Sequence, residues 1–152
     1  MLKITALALF VVILGLGAYV RLSPINEAQF HKDPATKTPP SASGHVLVAP
    51  NGDIDSPRFD MNADDLAAKL EAIILDTPRT THLAGDLSET YASYVTRSAL
   101  WGFPDIASVR IVADGPDASE VIIWSRLRFG AADMGVNAAR VEGWLSQLAS
   151  DD

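Results

Sequence analysis

Six polar residues toward the C-terminal end are candidates for a ligand site: Arg97, Arg126, Arg128, Asp133, Asn137 and Arg140. Guanidinium groups grip a carboxylate or phosphate through paired planar hydrogen bonds. Asn137 and Arg140 fall near the start of the last helical segment, where peptide dipoles attract negative charge. One reading is a site for a small anion built from Arg97, Arg126, Arg128, Asn137 and Arg140. The simpler reading is an internal polar network. In it Arg126 or Arg128 pairs with Asp133, Asn137 caps the helix, and Gly130 and Gly135 supply tight turns.

Other chemistry has weaker support. Ser125, Arg128 and Asp133 make a loose hydrolytic trio without a general base, so no catalytic residue is assigned. His31, His45 and His82 lack metal-ligand spacing, and Asp53 and Asp55 lack the downstream glutamate of a calcium loop. No phosphate-binding loop, dinucleotide fingerprint or serine elbow occurs in the chain. No metal and no cofactor are therefore expected. Trp101, Phe103, Trp124 and Trp144 read first as packing residues, with Trp101 and Phe103 as candidates for contact with a partner.

The elements that must position these side chains follow from periodicity. Asn62 reads as the cap of a helix from Ala63, with Leu66, Leu70, Ile73 and Ile74 as its apolar stripe and Pro78 as its stop. Thr80–Leu83, Tyr91–Leu100, Ile106–Ala113 and Val121–Phe129 read as strands separated by turns, Asp114-Gly115-Pro116-Asp117 being the clearest. Val136–Leu148 closes the chain as a second helix, with Val141, Trp144, Leu145 and Leu148 on one side. The expectation is an α+β fold: an antiparallel meander of about four strands packed against two helices. On such a sheet Arg97, Arg110, Arg126 and Arg128 fall on one face by strand parity.

Residues 22–61 hold Pro24, Pro34, Pro39, Pro40, Pro50 and Pro57 and read as a Pro-rich linker between an anchor at 1–21 and a domain at 62–150. Within it, His45–Ala49 fits a short edge strand. The alternative is that the segment lies over the domain, with Phe30 and Phe59 as its anchors.

The run Ile4–Val20 carries a polar group only at Thr5 and Tyr19. Its 17 residues make roughly 25 Å of helix at about 1.5 Å per residue, enough to span a bilayer. An uncleaved transmembrane helix is the expectation, with a cleaved signal as the competing one. Arg21, Lys32 and Lys37 follow the run and only Lys3 precedes it, which by charge alone would keep the domain in the cytoplasm. The short one-lysine leader is nonetheless the layout of an export signal. The expected location is a bacterial inner membrane, with the domain in the periplasm. After Arg21 there are ten basic side chains against nineteen acidic ones, a net of −9, so nucleic acid is not an expected partner. The absence of cysteine excludes disulfides and a thiol nucleophile.

Ser125-Arg126-Leu127-Arg128-Phe129-Gly130, then Asp133-Met134-Gly135-Val136-Asn137, Arg140-Val141 and Trp144-Leu145, resembles the closing signature of the DUF1499 family. Tyr94–Ser98 and Gly102–Asp105 resemble its alphaproteobacterial, membrane-anchored members. The resemblance covers roughly residues 60–148. Where many members carry Pro-Asn-Cys, this chain has Pro50-Asn51-Gly52. The family has no established activity to carry over. The expectation is thus a single-pass protein with a small periplasmic domain, a non-catalytic accessory or assembly partner of a protein complex in the membrane. A periplasmic anion-binding module and an unrecognised hydrolase are the alternatives.

Overall fold

Strand alternation and two amphipathic stripes organise the molecule, seen in a computed structural model that describes residues 2–38 and 43–150. Pro39 and Pro40 of the expected linker lie outside the described residues. The elements are helix α1 (Leu2–Leu22), a short helix α2 (Glu27–Phe30), a 3-10 turn at Pro34–Thr36, strands β1 (His45–Val48) and β2 (Arg58–Phe59), and helix α3 (Ala63–Asp76). Strands β3 (Thr80–Gly85), β4 (Tyr91–Arg97), β5 (Pro104–Ala113) and β6 (Ser119–Leu127) follow, and helix α4 (Val136–Ser150) closes the described chain.

β3 to β6 form the expected antiparallel meander. The full sheet order is β1-β6-β5-β4-β3, with β2 also pairing to β6. β1 is the edge strand read at His45–Ala49, in register from His45 opposite Arg126 to Val48 opposite Ile123. β2 places Phe59 opposite Ser119. The segment read as a linker therefore contributes two strands to the sheet. Its prolines stand at turns rather than sustaining an extended coil: Pro50 leads into a reversal whose Asn51 has a φ of 60°, and Pro57 precedes β2. Pro104 and Asp105, outside the strand read at Ile106–Ala113, open β5, since Pro104 lies opposite Arg97 at the end of β4.

Directly opposed residues of an antiparallel ladder share a face. One face carries Val46, Ser125, Ala107 and Tyr94 in one row and Val48, Ile123, Val109 and Ala92 in the next. These side chains form the core with Leu66, Leu70 and Ile74 of α3 and Val141, Trp144 and Leu148 of α4. Asn62 caps α3 by accepting a bond from the Asp65 N–H at 2.9 Å. The Trp144 indole donates to Thr77 Oγ1 at 2.7 Å, joining α4 to the end of α3. Burial of each large apolar side chain stabilises by about 1.5–3 kcal/mol, so the two stripes suffice to hold both helices on the sheet.

The opposite face carries Leu47, Trp124, Ser108 and Ser93, with Arg126 and Arg110 in neighbouring rows. No long helix covers it. The segment from Ser23 to Lys37 crosses it as a strap: His31 Nδ1 lies 2.9 Å from Ser93 Oγ, and Asp33 pairs with Arg110. The sheet is thus enclosed between a helical layer and a thin N-terminal one.

α1 is the one helix among the described residues that is long and apolar enough to cross a membrane by length and composition. Almost none of it is covered by the rest of the chain. Its last turns are the exception. Val20 is buried, and Tyr19 meets Phe129 edge-on with ring centroids 6.1 Å apart.

Candidate functional site

The arginines obey strand parity. Arg97 opposite Pro104, Arg110 opposite Tyr91 and Arg126 opposite Ile106 all project to the strap side, and Arg128 follows Arg126 at the same parity. Each takes a different partner. Arg126 is buried, donates to Ser108 Oγ and the Trp124 carbonyl at 3.2 Å each, and also donates to the Phe30 carbonyl. Its guanidinium lies 3.8 Å from the centroid of the Trp124 ring. Burial lowers its pKa to about 10, because its partners are neutral and do not offset the loss of water. Arg128 donates to Ser23 O at 3.1 Å and Ser23 Oγ at 2.8 Å. Arg97 donates to the Gly102 carbonyl at 3.0 Å. Its pKa is depressed by burial first, then by the charges of Arg128 and Arg21.

Asp133, Asn137 and Arg140 lie on the helical side. Asp133 Oδ2 accepts from the Asn137 backbone N–H at 2.7 Å and from Asn137 Nδ2 at 2.8 Å, while Oδ1 accepts from Gly135 N at 3.1 Å. Asn137 Oδ1 accepts from Ser125 Oγ at 2.5 Å and Arg140 Nη1 at 2.9 Å. Arg140 Nη2 completes the line by donating to Asp105 Oδ2 at 2.8 Å. Burial pushes the Asp105 carboxyl above its ordinary range, and Arg140 offsets only part of this. Burial also acts upward on Asp133, but the donors from Asn137 and Gly135 prevail and hold its pKa low.

The six residues read as one constellation are thus divided by the sheet into two groups. Arg97, Arg126 and Arg128 stand on one side, and Asp133, Asn137 and Arg140 on the other. The expected Arg128–Asp133 pair does not form: Arg128 turns to Ser23, while Asp133, rather than Asn137, satisfies the opening N–H groups of α4. Gly130 and Gly135 supply the expected turns, with φ of 98° and 82°. Ser125 is wholly buried, its hydroxyl committed to Asn137. Trp101 and Phe103 remain substantially exposed, 42% and 37%, in the loop joining β4 to β5. They line a groove with Ile13, Leu16, Gly17 and Val20 of α1.

The profile of a family described as protein of unknown function, DUF1499, matches residues 30–148. The chain belongs to the DUF1499 family. No curated protein matches it. In this DUF1499 chain the matched stretch begins inside the strap, well before the resemblance read over 60–148, as the pairing of β1 and β2 with β6 requires. α1 lies outside the match. At the Pro50-Asn51-Gly52 turn, a Cβ on Gly52 would sit 2.5 Å from the Leu47 carbonyl oxygen, so any larger residue there needs a reshaped turn.

Sequence reasoning missed the strap's polar contacts through Ser23, His31 and Asp33. Asp33, His31, Phe30 and Ser23 each meet the sheet, which is the alternative read for this segment, with Phe30 as an anchor, rather than the linker. The available signal was Asp33-Pro34: the Asp33 side chain accepts from Ala35 N at 3.0 Å and opens the 3-10 turn. Asp105 fell outside the strand read from Ile106 and was given no role, yet it is the acid that Arg140 pairs with. Among the described residues no three histidine or carboxylate side chains cluster as metal ligands.

Proposed function

We propose that this protein is anchored in a bacterial inner membrane by α1, presents its α+β domain to the periplasm, and acts by binding, as an accessory or assembly partner of a protein complex in that membrane. One observation carries the reading. α1 leaves nearly all of its apolar surface uncovered, yet residues ahead of Ala18 meet the domain: a Cβ on Gly17 would lie 3.1 Å from the Trp101 ring, and Ile13, Leu16 and Gly17 line a groove with Trp101 and Phe103. Uncovered apolar helix surface is stable in lipid and costly in water. A leader destined for removal has no use for contacts with the mature domain. The net charge of −9 beyond Arg21 supports a protein rather than a polyanion as partner.

The test combines fractionation, topology and size. The full chain is expected to stay in membranes through an alkaline carbonate wash and to retain its N-terminus. A reporter active only in the periplasm, fused after Asp152, is expected to be active. In mild detergent the protein is expected to migrate above monomer mass. A soluble mature chain starting beyond Ala18 overturns the anchor; a lone monomer under gentle conditions overturns the partner role.

A further inference from the structure

The β4–β5 loop does not stand clear of α1. A Cβ built on Gly17 would lie 3.1 Å from the six-membered ring of Trp101. Trp101 and Leu100 also line a second groove with Leu14, Gly17, Ala18 and Arg21. Gly17 is five residues before the end of α1, about 7.5 Å along the helix axis, and Ile13 is about 13 Å from it. Whatever packs against those residues lies below the level at which the span ends.

Three features meet at this end of the sheet. Leu100 is 79% exposed, beside Trp101 and Phe103. Phe129, where the chain leaves β6, sits against Tyr19. Arg21, Arg97 and Arg128 stand close enough that the charges of Arg21 and Arg128 act on Arg97. None of the four ion pairs among the described residues includes any of the three. Arg97 and Arg128 donate to neutral groups, the Gly102 carbonyl and Ser23. In a domain with so many acids, three cations without a carboxylate are set to meet an anion from outside. Arg21 is the first charged residue after the apolar run.

We infer that this end of the domain is a phospholipid-seating surface: Leu100, Trp101 and Phe103 enter the interface of the leaflet that α1 crosses, while Arg21, Arg97 and Arg128 take the phosphates of its lipids. The occupant is the leaflet itself, since the surface is continuous with the span. Tryptophan suits this depth because its ring is apolar while its N–H seeks a polar neighbour. The inference rests on the anchor reading above and adds to it that the domain is held down on the bilayer.

The full chain is reconstituted into phosphatidylcholine vesicles, with and without phosphatidylglycerol, containing lipids brominated high on the acyl chains. Wild-type tryptophan emission is expected to be quenched, with the quenching lost in Trp101→Phe, because Trp144 is buried and Trp124 lies under Lys37 and Arg126. Leu100→Gln, at an exposed position that leaves the core intact, is expected to reduce it. Phosphatidylglycerol is expected to deepen the quenching in wild type and not in the Arg21→Gln/Arg97→Gln double variant. Equal quenching in wild type and Trp101→Phe, with the protein still in the vesicles, overturns the seating surface and leaves the anchor standing. Failure to associate with vesicles overturns the anchor. If inorganic phosphate raises the melting temperature in pure phosphatidylcholine as much as phosphatidylglycerol does, the arginines form a free-anion site and the lipid assignment falls.

Discussion

Arg110 of β5 grips Asp33 of the strap with two parallel hydrogen bonds, Nε to Oδ1 at 2.9 Å and Nη2 to Oδ2 at 2.6 Å. The pair is about three-quarters shielded, with side-chain exposures of 28% and 25%. It closes a long loop of chain and fixes the strap across the face that α3 and α4 do not cover. A forked pair of this kind depends on the planar guanidinium, not on charge alone.

Arg110→Lys is therefore expected to cost stability despite keeping the charge, and Arg110→Ala to cost more, about 1–2 kcal/mol. A double-mutant cycle with Asp33→Ala, read by denaturant unfolding in detergent, isolates the coupling. Additivity of the two single changes would show that the fork does not hold the strap.

Gly85→Ala is expected to be among the most damaging conservative changes. Gly85 has a φ of +86°, and a Cβ there would lie 2.2 Å from the Tyr91 carbonyl oxygen and 2.6 Å from His31 Cε1. The clash meets both β4 and the strap, so a loss above about 3 kcal/mol is expected. Gly115→Ala provides the control. Gly115 also has a positive φ, +99°, but opens onto empty space, so only the backbone term of about 1 kcal/mol applies. Similar losses from both changes in a thermal melt would rule out the clash.

Arg140→Ala leaves Asp105 buried beneath the start of α4 without its cation. The expected loss is about 3–5 kcal/mol near neutral pH. The sign of the pH effect follows from burial, which already raises the Asp105 pKa above its ordinary 3.8. Without Arg140 the folded form holds the proton still more tightly than the unfolded chain does. The variant's stability is then fully present below that ordinary value and lost as pH rises through the higher folded one. The gap between variant and wild type should narrow from pH 7 to pH 4, and a constant gap would contradict this.

His31 predicts a pH dependence for the strap. Its pKa lies below the ordinary 6.5, through burial first and then the charges of His82 and Lys32, with Glu27 opposing. The unfolded chain thus takes the proton at higher pH than the folded one. His31 stabilises above 6.5, and that contribution is lost as pH falls from there toward the folded value. Melting temperatures between pH 5 and 8 should fall more steeply on the acid side in wild type than in His31→Gln. Parallel curves would remove His31 as the cause.

The legible parts of this fold were those with a local period. The Leu66–Ile74 and Val141–Leu148 stripes, and the alternation through β5 and β6, are each visible within a dozen residues. The common face of Arg97, Arg110, Arg126 and Arg128 follows from parity alone. What was hidden depended on distant partners. β1 was read as an edge strand, but its place beside β6 and the whole of β2 were not, because both are set only by β6 and prolines around them imitate a spacer. The division of the arginines from Asp133, Asn137 and Arg140 depends on which side of the sheet the chain takes after Gly130, and no periodicity records that choice. The approach of Trp101 to Gly17 joins two segments that neither strand nor helix patterns relate.

The sheet also sets a timetable for synthesis. Its first two strands both pair with β6, the last strand to leave the ribosome. Val46-Leu47-Val48, almost wholly buried in the finished protein, travel unpaired through most of translation. A chain stalled before Ser119 has α1 and a strap but no partner for β1. Any factor that shields nascent apolar segments, or any protease that surveys them, meets this protein in that unfinished form.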